Sequence, residues 1–265
     1  MRIANGLAST GGAFIYITLG FLPIQAQSTS VLSQTVSAGA YYARGDYGEG
    51  DITEFRYFPF TYEVSKDQWG LQLLIPRLEV RGLGHVLVNV GGVTQAVAGS
   101  ERTSRRGLGD SIVSAFYRFD APSDSGPYFD FRLDIKLPTA DERAGLGTGE
   151  VDYTPQLNVS HYLGNKLLFA TVGRNFRGKS ALYPGLRDSS FAQFGGAFPL
   201  ASDWTAGIYY DFREAASTYA QETHELVPYV TWQWSERWSF TGLTVWGATE
   251  GSADFSLLGQ ISYRW

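Results

Sequence analysis

Cysteine is absent, so the chain has neither disulfides nor thiolate metal sites. That lack does not fix the compartment, because exported proteins need not use disulfides. Charge is scarce: 18% of residues are charged, against roughly 25% in soluble domains. The net charge of −5 gives no reason to expect a nucleic-acid partner. Only three histidines occur, His85, His161 and His224, too scattered to predict a metal site. No nucleotide-binding motif or cofactor site is visible, so no cofactor is expected. Beyond the N-terminus, no run is long and apolar enough for the ~20 residues of a spanning helix. A bilayer admits only helices or closed barrels. A membrane fate for this chain therefore means a barrel.

What is abundant agrees with that. Aromatic residues make up 15%, with 16 Tyr, 17 Phe and 7 Trp, beside 31 Gly. This composition fits a β-protein in contact with lipid. At the N-terminus Arg2 precedes a largely apolar stretch, 13–24, and then Gln25-Ala26-Gln27. These are the parts of a secretory signal peptide, expected to span 1–26 with cleavage after Ala26. The stretch is short for an anchor and contains Pro23. Residues 27–265 form the expected barrel domain.

Segments of about ten residues then alternate with period two, separated by polar, Gly-rich breaks. In 129–137, Phe129, Phe131, Leu133, Ile135 and Leu137 share one face and Asp130, Arg132, Asp134 and Lys136 the other. A soluble sandwich also alternates, but the placing of the large aromatics argues against it. Trp204, Ala206, Ile208, Tyr210 and Phe212 put rings at both ends of an apolar face, as girdles around a lipid band would. Val151, Tyr153, Pro155, Leu157 and Val159 form another such face, and Leu226, Pro228, Val230, Trp232 and Trp234 a third.

The expected fold is all-β, a transmembrane antiparallel β-barrel of 12 strands. The strands begin near Thr35, Ile52, Gln68, Asp110, Pro127, Val151, Lys166, Ser190, Trp204, Glu225, Arg237 and Asp254. Short and longer connections alternate along the chain, as periplasmic turns and outer loops do. Strict alternation with both termini periplasmic requires an even count. The last strand carries Phe255, Leu257, Gly259, Ile261, Tyr263 and Trp265 on one face. Such an ending resembles the signal by which outer-membrane proteins are recognised for assembly. The expected partners are therefore outer-membrane lipid, the assembly machinery and a small-molecule solute, in the outer membrane of a Gram-negative bacterium.

Two segments are less regular. In 68–81, Trp69, Leu71 and Leu73 point one way while Leu78 and Val80 would point the other. A β-bulge near 74–76 is the expected repair, turning Arg77, Glu79 and Arg81 inward. In 237–247 neither face is clearly apolar.

By alternation the inward set comprises Arg118, Asp130, Arg132, Asp134, Lys136, Asp152, Asp211, Arg213, Glu225 and Arg264, joined by Glu54 and Arg56. Buried charges need partners or water. The set reads equally as a salt-bridged filling and as a polar pathway. Its mixed signs argue against strong ion selectivity. The segment 82–109, with an apolar stretch at 86–97 and basic Arg102, Arg105 and Arg106, is expected to fold into the mouth as a constriction; an extended outer hairpin is the other reading. No catalytic residue is assigned. The histidines raise the alternative of a phospholipase-like barrel hydrolase, but no nucleophile motif accompanies them.

An ordered series of motifs completes the reading. Gly107-Leu-Gly-Asp110 opens a strand, followed by Lys136-Leu-Pro138-Thr139 and then Gly147-Thr-Gly149-Glu-Val-Asp152. Over about 107–177 this series resembles the outer-membrane transporter family associated with the meta-pathway of phenol degradation. It departs from that family's pattern at Ala140 and at Arg174-Asn175. The resemblance implies a non-enzymatic channel for passive passage of small, aromatic or hydrophobic solutes; a closed structural barrel is the further alternative. Asp110 and Asp152 are expected near the outer mouth, with Lys136 level with them and able to pair with either. The motif residues Gly107, Gly109, Pro138, Gly147 and Gly149 are expected to fix loop geometry.

Overall fold

The computed structural model describes residues 10–12, 15–17, 32–45, 52–89, 92–123, 126–217, 220–249 and 252–265. The expected signal peptide lies outside these, apart from the backbone of two short paired strands, β1 (Thr10–Gly12) and β2 (Ile15–Ile17). The remaining strands are β3 (Ser33–Gly45), β4 (Thr53–Lys66), β5 (Trp69–Asn89), β6 (Gly92–Leu108), β7 (Ser111–Arg118), β8 (Tyr128–Leu137) and β9 (Asp152–Leu163). They continue as β10 (Lys166–Asn175), β11 (Ser189–Pro199), β12 (Trp204–Arg213), β13 (Thr223–Trp232), β14 (Trp238–Gly247) and β15 (Phe255–Arg264).

From β3 to β15 consecutive strands pair antiparallel, except β6 with β7, and β15 pairs with β3 to close the wall. β5 pairs with β7 along its first half and with β6 along its second, so β6 and β7 share one place. The result is a closed barrel of twelve strands. The strand starts agree with the sequence expectation to within two residues, except that the fourth strand reaches back from Asp110 to Gly92.

Period-two alternation divides the wall into two faces. Outward side chains are apolar and exposed, such as Trp69, Leu71, Phe131, Leu157 and Phe194. The antiparallel ladder pairs backbone groups from strand to strand around the wall, as a bilayer requires of a spanning sheet. At the turn end, Trp204 stacks on Trp232 at 5.4 Å and Tyr263 lies against both Trp238 and Trp265. These rings match an interfacial girdle. The turns there are short: Asp67 takes a positive φ between β4 and β5, and Gly164 does so between β9 and β10. That geometry suits the tight reversal of a two-residue hairpin.

The segment 82–109 departs from the expected constriction. Its backbone continues β5 and β6 as an antiparallel hairpin, from Arg77 opposite Leu108 to Asn89 opposite Gly92. The expected bulge near 74–76 is also absent, for β4 and β5 keep an unbroken register from Lys66–Trp69 to Glu54–Arg81. The irregularity sits on the neighbouring strand, at the Gly109–Asp110 break between β6 and β7. Hence Leu78 and Val80 are buried inside, while Arg77, Glu79 and Arg81 face outward. Glu54 and Arg56 face outward too, contrary to expectation. The physical reason is shared. These strands rise past the apolar band, and outside lipid the favourable pattern inverts to charge outward and apolar inward. In β14 the inward Leu243 and Val245 line an apolar stretch of the lumen, while outward Phe240 and Trp246 are exposed; both faces are therefore mixed.

Candidate functional site

The lumen carries a charged ladder on one side and an apolar patch on the other, among polar residues on both. On β8, Asp130, Arg132, Asp134 and Lys136 project inward in sequence, each at most 4% exposed. Arg132 donates through Nε to Asp134 Oδ1 at 2.7 Å, and through one terminal nitrogen to Gln72 Oε1 and Ser114 Oγ, both at 2.7 Å. Gln156 donates to Asp134 Oδ2 at 2.8 Å, and Gln72 to Glu63 at 3.1 Å. One network thus crosses five neighbouring strands, from β4 to β9. Arg118 and Asp130 lie 3.8 Å apart below it. A second group joins β11 to β12, where Asp211 accepts from Gln193 at 2.6 Å and Arg213 at 2.8 Å. Arg213 also lies over the Phe191 ring. Glu225 and Arg264 are half-buried on inward positions of β13 and β15.

Counting around the wall, β14 stands six places from β8, diametrically opposite it. There Leu243 and Val245, flanked by Val227 and Tyr229 of β13 and Leu258 of β15, are buried and apolar. Tyr41, Phe55 and Tyr57 extend this surface along β3 and β4, and Phe169 and Tyr209 along β10 and β12. Ring centroids in these groups lie about 6.2 Å apart between Phe55 and Tyr57 and between Tyr209 and Tyr229. The charged ladder thus faces an apolar patch on the loop-end half of β13 to β15, while the turn-end half of those strands carries buried Thr231, Ser239, Thr241, Gln260 and Ser262, and Asp211 and Arg213 stand beside Tyr209 on β12.

At the loop end the three sequence motifs converge on one cation. Lys136 Nζ lies 3.0 Å from Asp110 Oδ2 and 3.2 Å from Asp152 Oδ2, so it pairs with both carboxylates rather than one. It also donates to Thr148 Oγ1. The remaining carboxylate oxygens tie down backbone: Asp110 Oδ1 accepts from Ala140 N and Asp152 Oδ1 from Gly178 N, each at 3.0 Å. Thr139 Oγ1 accepts from Ser111 N at 2.8 Å and donates to the Gly109 carbonyl. The loop 139–149 is thereby held over the mouth, with Leu146 buried in the apolar cluster and packed on Gly107. This loop, not 82–109, folds inward. Pro138 lies between β8 and that loop, and its fixed φ suits the exit from the strand.

Three glycines in this loop are required. Gly145 and Gly149 have φ +67° and +72°, and a Cβ on Gly147 would lie 2.6 Å from both Asp110 carboxylate oxygens. Gly147→Ala is therefore expected to cost about 1–3 kcal/mol through overpacking, read as a lower urea midpoint for the folded barrel. Neighbouring loops join the cover: Tyr183 is buried and its hydroxyl reaches the Glu142 carbonyl at 3.5 Å. Burial pushes the Arg177 guanidinium down to about 10, with Asp152 and Asp188 opposing. A backbone hydrogen bond from Ser190 holds the Glu214 carboxyl below its ordinary value.

The sequence reading named the charged members of this interior and missed the neutral ones. Gln72, Ser114, Thr148, Gln156 and Gln193 are as deeply buried as the charges they bond. Parity alone would have found Gln72 and Ser114, since each alternates with outward apolar residues. Among the described histidines, His224 is bonded by Tyr210 on one ring nitrogen and by Glu222 on the other at 3.2 Å. His161 lies opposite Leu168 in the ladder.

A family model described as "Putative MetA-pathway of phenol degradation" matches residues 47–265. An outer membrane channel from Pseudomonas putida F1 superposes with a TM-score of 0.66 over 92% of this chain and 99% of that one, at 13% identity. The KdgM porin gives a TM-score of 0.50 over 86% and 98% at 9% identity. The CymD monoaromatic hydrocarbon channel gives 0.43 over 90% and 89% at 7% identity. At these identities the first two likenesses are of fold. No curated protein matches the chain.

Proposed function

The chain belongs to the family of the MetA-pathway of phenol degradation, and we propose that it serves there as an outer-membrane channel for passive passage of small aromatic or hydrophobic solutes. The observation that carries this reading is the apolar patch of Tyr209, Tyr229 and Leu243 set across the lumen from the charged β8 ladder. A ring bearing one polar group would place its face against Tyr209, Tyr229 and Leu243 and its polar group towards the β8 ladder. Charged groups of both signs line the path, so neither cations nor anions are strongly favoured. A twelve-strand barrel is narrow enough for inward side chains to fill it. Passage is then one solute at a time, past side chains and under the 139–149 loop. The protein would sit in the outer membrane of a Gram-negative bacterium, with a cleaved leader of 1–26 and barrel residues from 27.

The hydrolase reading needs a nucleophile against a histidine. His224 contacts Tyr210 and Glu222 at the outer rim, and no serine hydroxyl bonds its ring among the described residues. Liposome uptake separates the two. The folded protein is expected to speed entry of an aromatic carboxylate more than that of an aliphatic polyol of similar mass, with no phospholipid cleavage. Lipid hydrolysis abolished by His224→Ala, or absence of any protein-dependent uptake, would reject the channel.

A further inference from the structure

The inverted polarity of the tall wall creates a surface that solute passage does not use. Registers across β3, β4, β5 and β6 align the outward side chains in rows. The lowest row is Phe58, Arg77 and Leu108; the next is Tyr42, Arg56, Glu79 and Arg106; the third is Arg44, Glu54, Arg81 and Ser104. Five arginines stand against two glutamates, a local positive excess in a chain whose net charge is −5. Glu79 is taken by Arg56 at 3.4 Å and Arg81 at 2.9 Å. Arg44, Arg77 and Arg106 are exposed and make no ion pair among the described residues.

Height decides what this surface meets. Arg77 sits between Phe58 and Leu108, which are 40% and 59% exposed and belong to the lipid-facing band. The rows above it begin where that band stops, on the side of the longer loops. In a bilayer this is the headgroup level of the outer leaflet. On other strands the same level carries rings such as Tyr153, Trp246 and Phe255, with Arg174 over Phe176. The arginine rows are thus confined to one sector, continuous below with apolar surface for acyl chains. Guanidinium forks suit phosphate oxygens, and their stems lie along apolar surface while the heads reach polar groups.

We propose that the β3–β6 outer face binds the phosphorylated glycolipid headgroups of the outer leaflet, with Arg44, Arg77 and Arg106 as phosphate contacts. This site is independent of solute passage and rests only on the barrel's orientation. The test uses the full chain folded in neutral detergent micelles, titrated with lipopolysaccharide before and after enzymatic removal of its lipid A phosphates. Loss of those phosphates is expected to weaken binding about tenfold or more, as is the triple change Arg44→Gln, Arg77→Gln and Arg106→Gln. Arg143→Gln, in the 139–149 loop, is expected to bind as the unaltered protein does. Millimolar inorganic phosphate is expected not to compete, since it lacks the acyl chains. Equal affinity for the two glycolipids, or unchanged binding by the folded triple variant, overturns the proposal. Displacement by inorganic phosphate overturns it in favour of a simple anion site. Should the triple variant not fold, the comparison of the two glycolipids on the unaltered protein decides alone.

Discussion

Replacing Lys136 by methionine is expected to lower the stability of the folded barrel by about 3–5 kcal/mol, the usual cost of removing one partner from a buried ion pair. The side chain is 1% exposed, and its partners Asp110 and Asp152 are buried with it, at 3% and 1%. Without the ammonium, two carboxylates face each other with no cation between them, in a space that excludes water. Each also anchors a loop amide, Ala140 or Gly178, so the loop cover loosens along with the pair. Urea unfolding followed by tryptophan fluorescence reads the loss. Adding Asp110→Asn to Lys136→Met is expected to recover part of it, because only one carboxylate then remains, and Asp152 still has Arg177 nearby. A Lys136→Met barrel that unfolds like the parent would show that the motifs converge without holding anything.

The second large effect belongs to Arg132→Leu. This change strips one donor from Asp134 and leaves Gln72 and Ser114 without their bond from the guanidinium. A buried carboxylate deprived of its cation is expected to cost about 3–5 kcal/mol, and the altered ladder changes conductance where the channel conducts. Arg187→Leu is the comparison. Its Nε donates to the Ala215 carbonyl at 3.0 Å in a loop, and its removal is expected to cost under about 1 kcal/mol. Equal and small effects at the two positions would mean that the β8 ladder is not a stabilising network.

Much of the wall was readable because lipid enforces period two. Where a strand lies within the apolar band, as in β8 or β12, one face must be apolar, and the residues declare it. The reading failed where strands left that band. Leu78 and Val80 look misplaced only if Glu79 and Arg81 are assumed to be in lipid; above lipid the rule reverses, and Arg77, between Phe58 and Leu108, stands at the edge where it does. The same oversight turned Glu54 and Arg56 inward and made a loop of 82–109. The motifs were visible as motifs, and Lys136 was placed level with both aspartates. That it bonds both, and that Thr148 joins them, depends on a loop folding back over the mouth, which spacing along the chain does not specify. The neutral lumen partners, Gln156 and Gln193 among them, drew no notice because uncharged residues on a polar face look ordinary.

The central claim, that this filled lumen passes solutes, is tested most directly by planar-bilayer recording of the purified, folded protein. Small, weakly ion-selective conductance steps are expected, altered in size by Arg132→Leu and reduced by an aromatic solute that occupies the path. A folded barrel that inserts and never conducts, with or without Arg132, would contradict it.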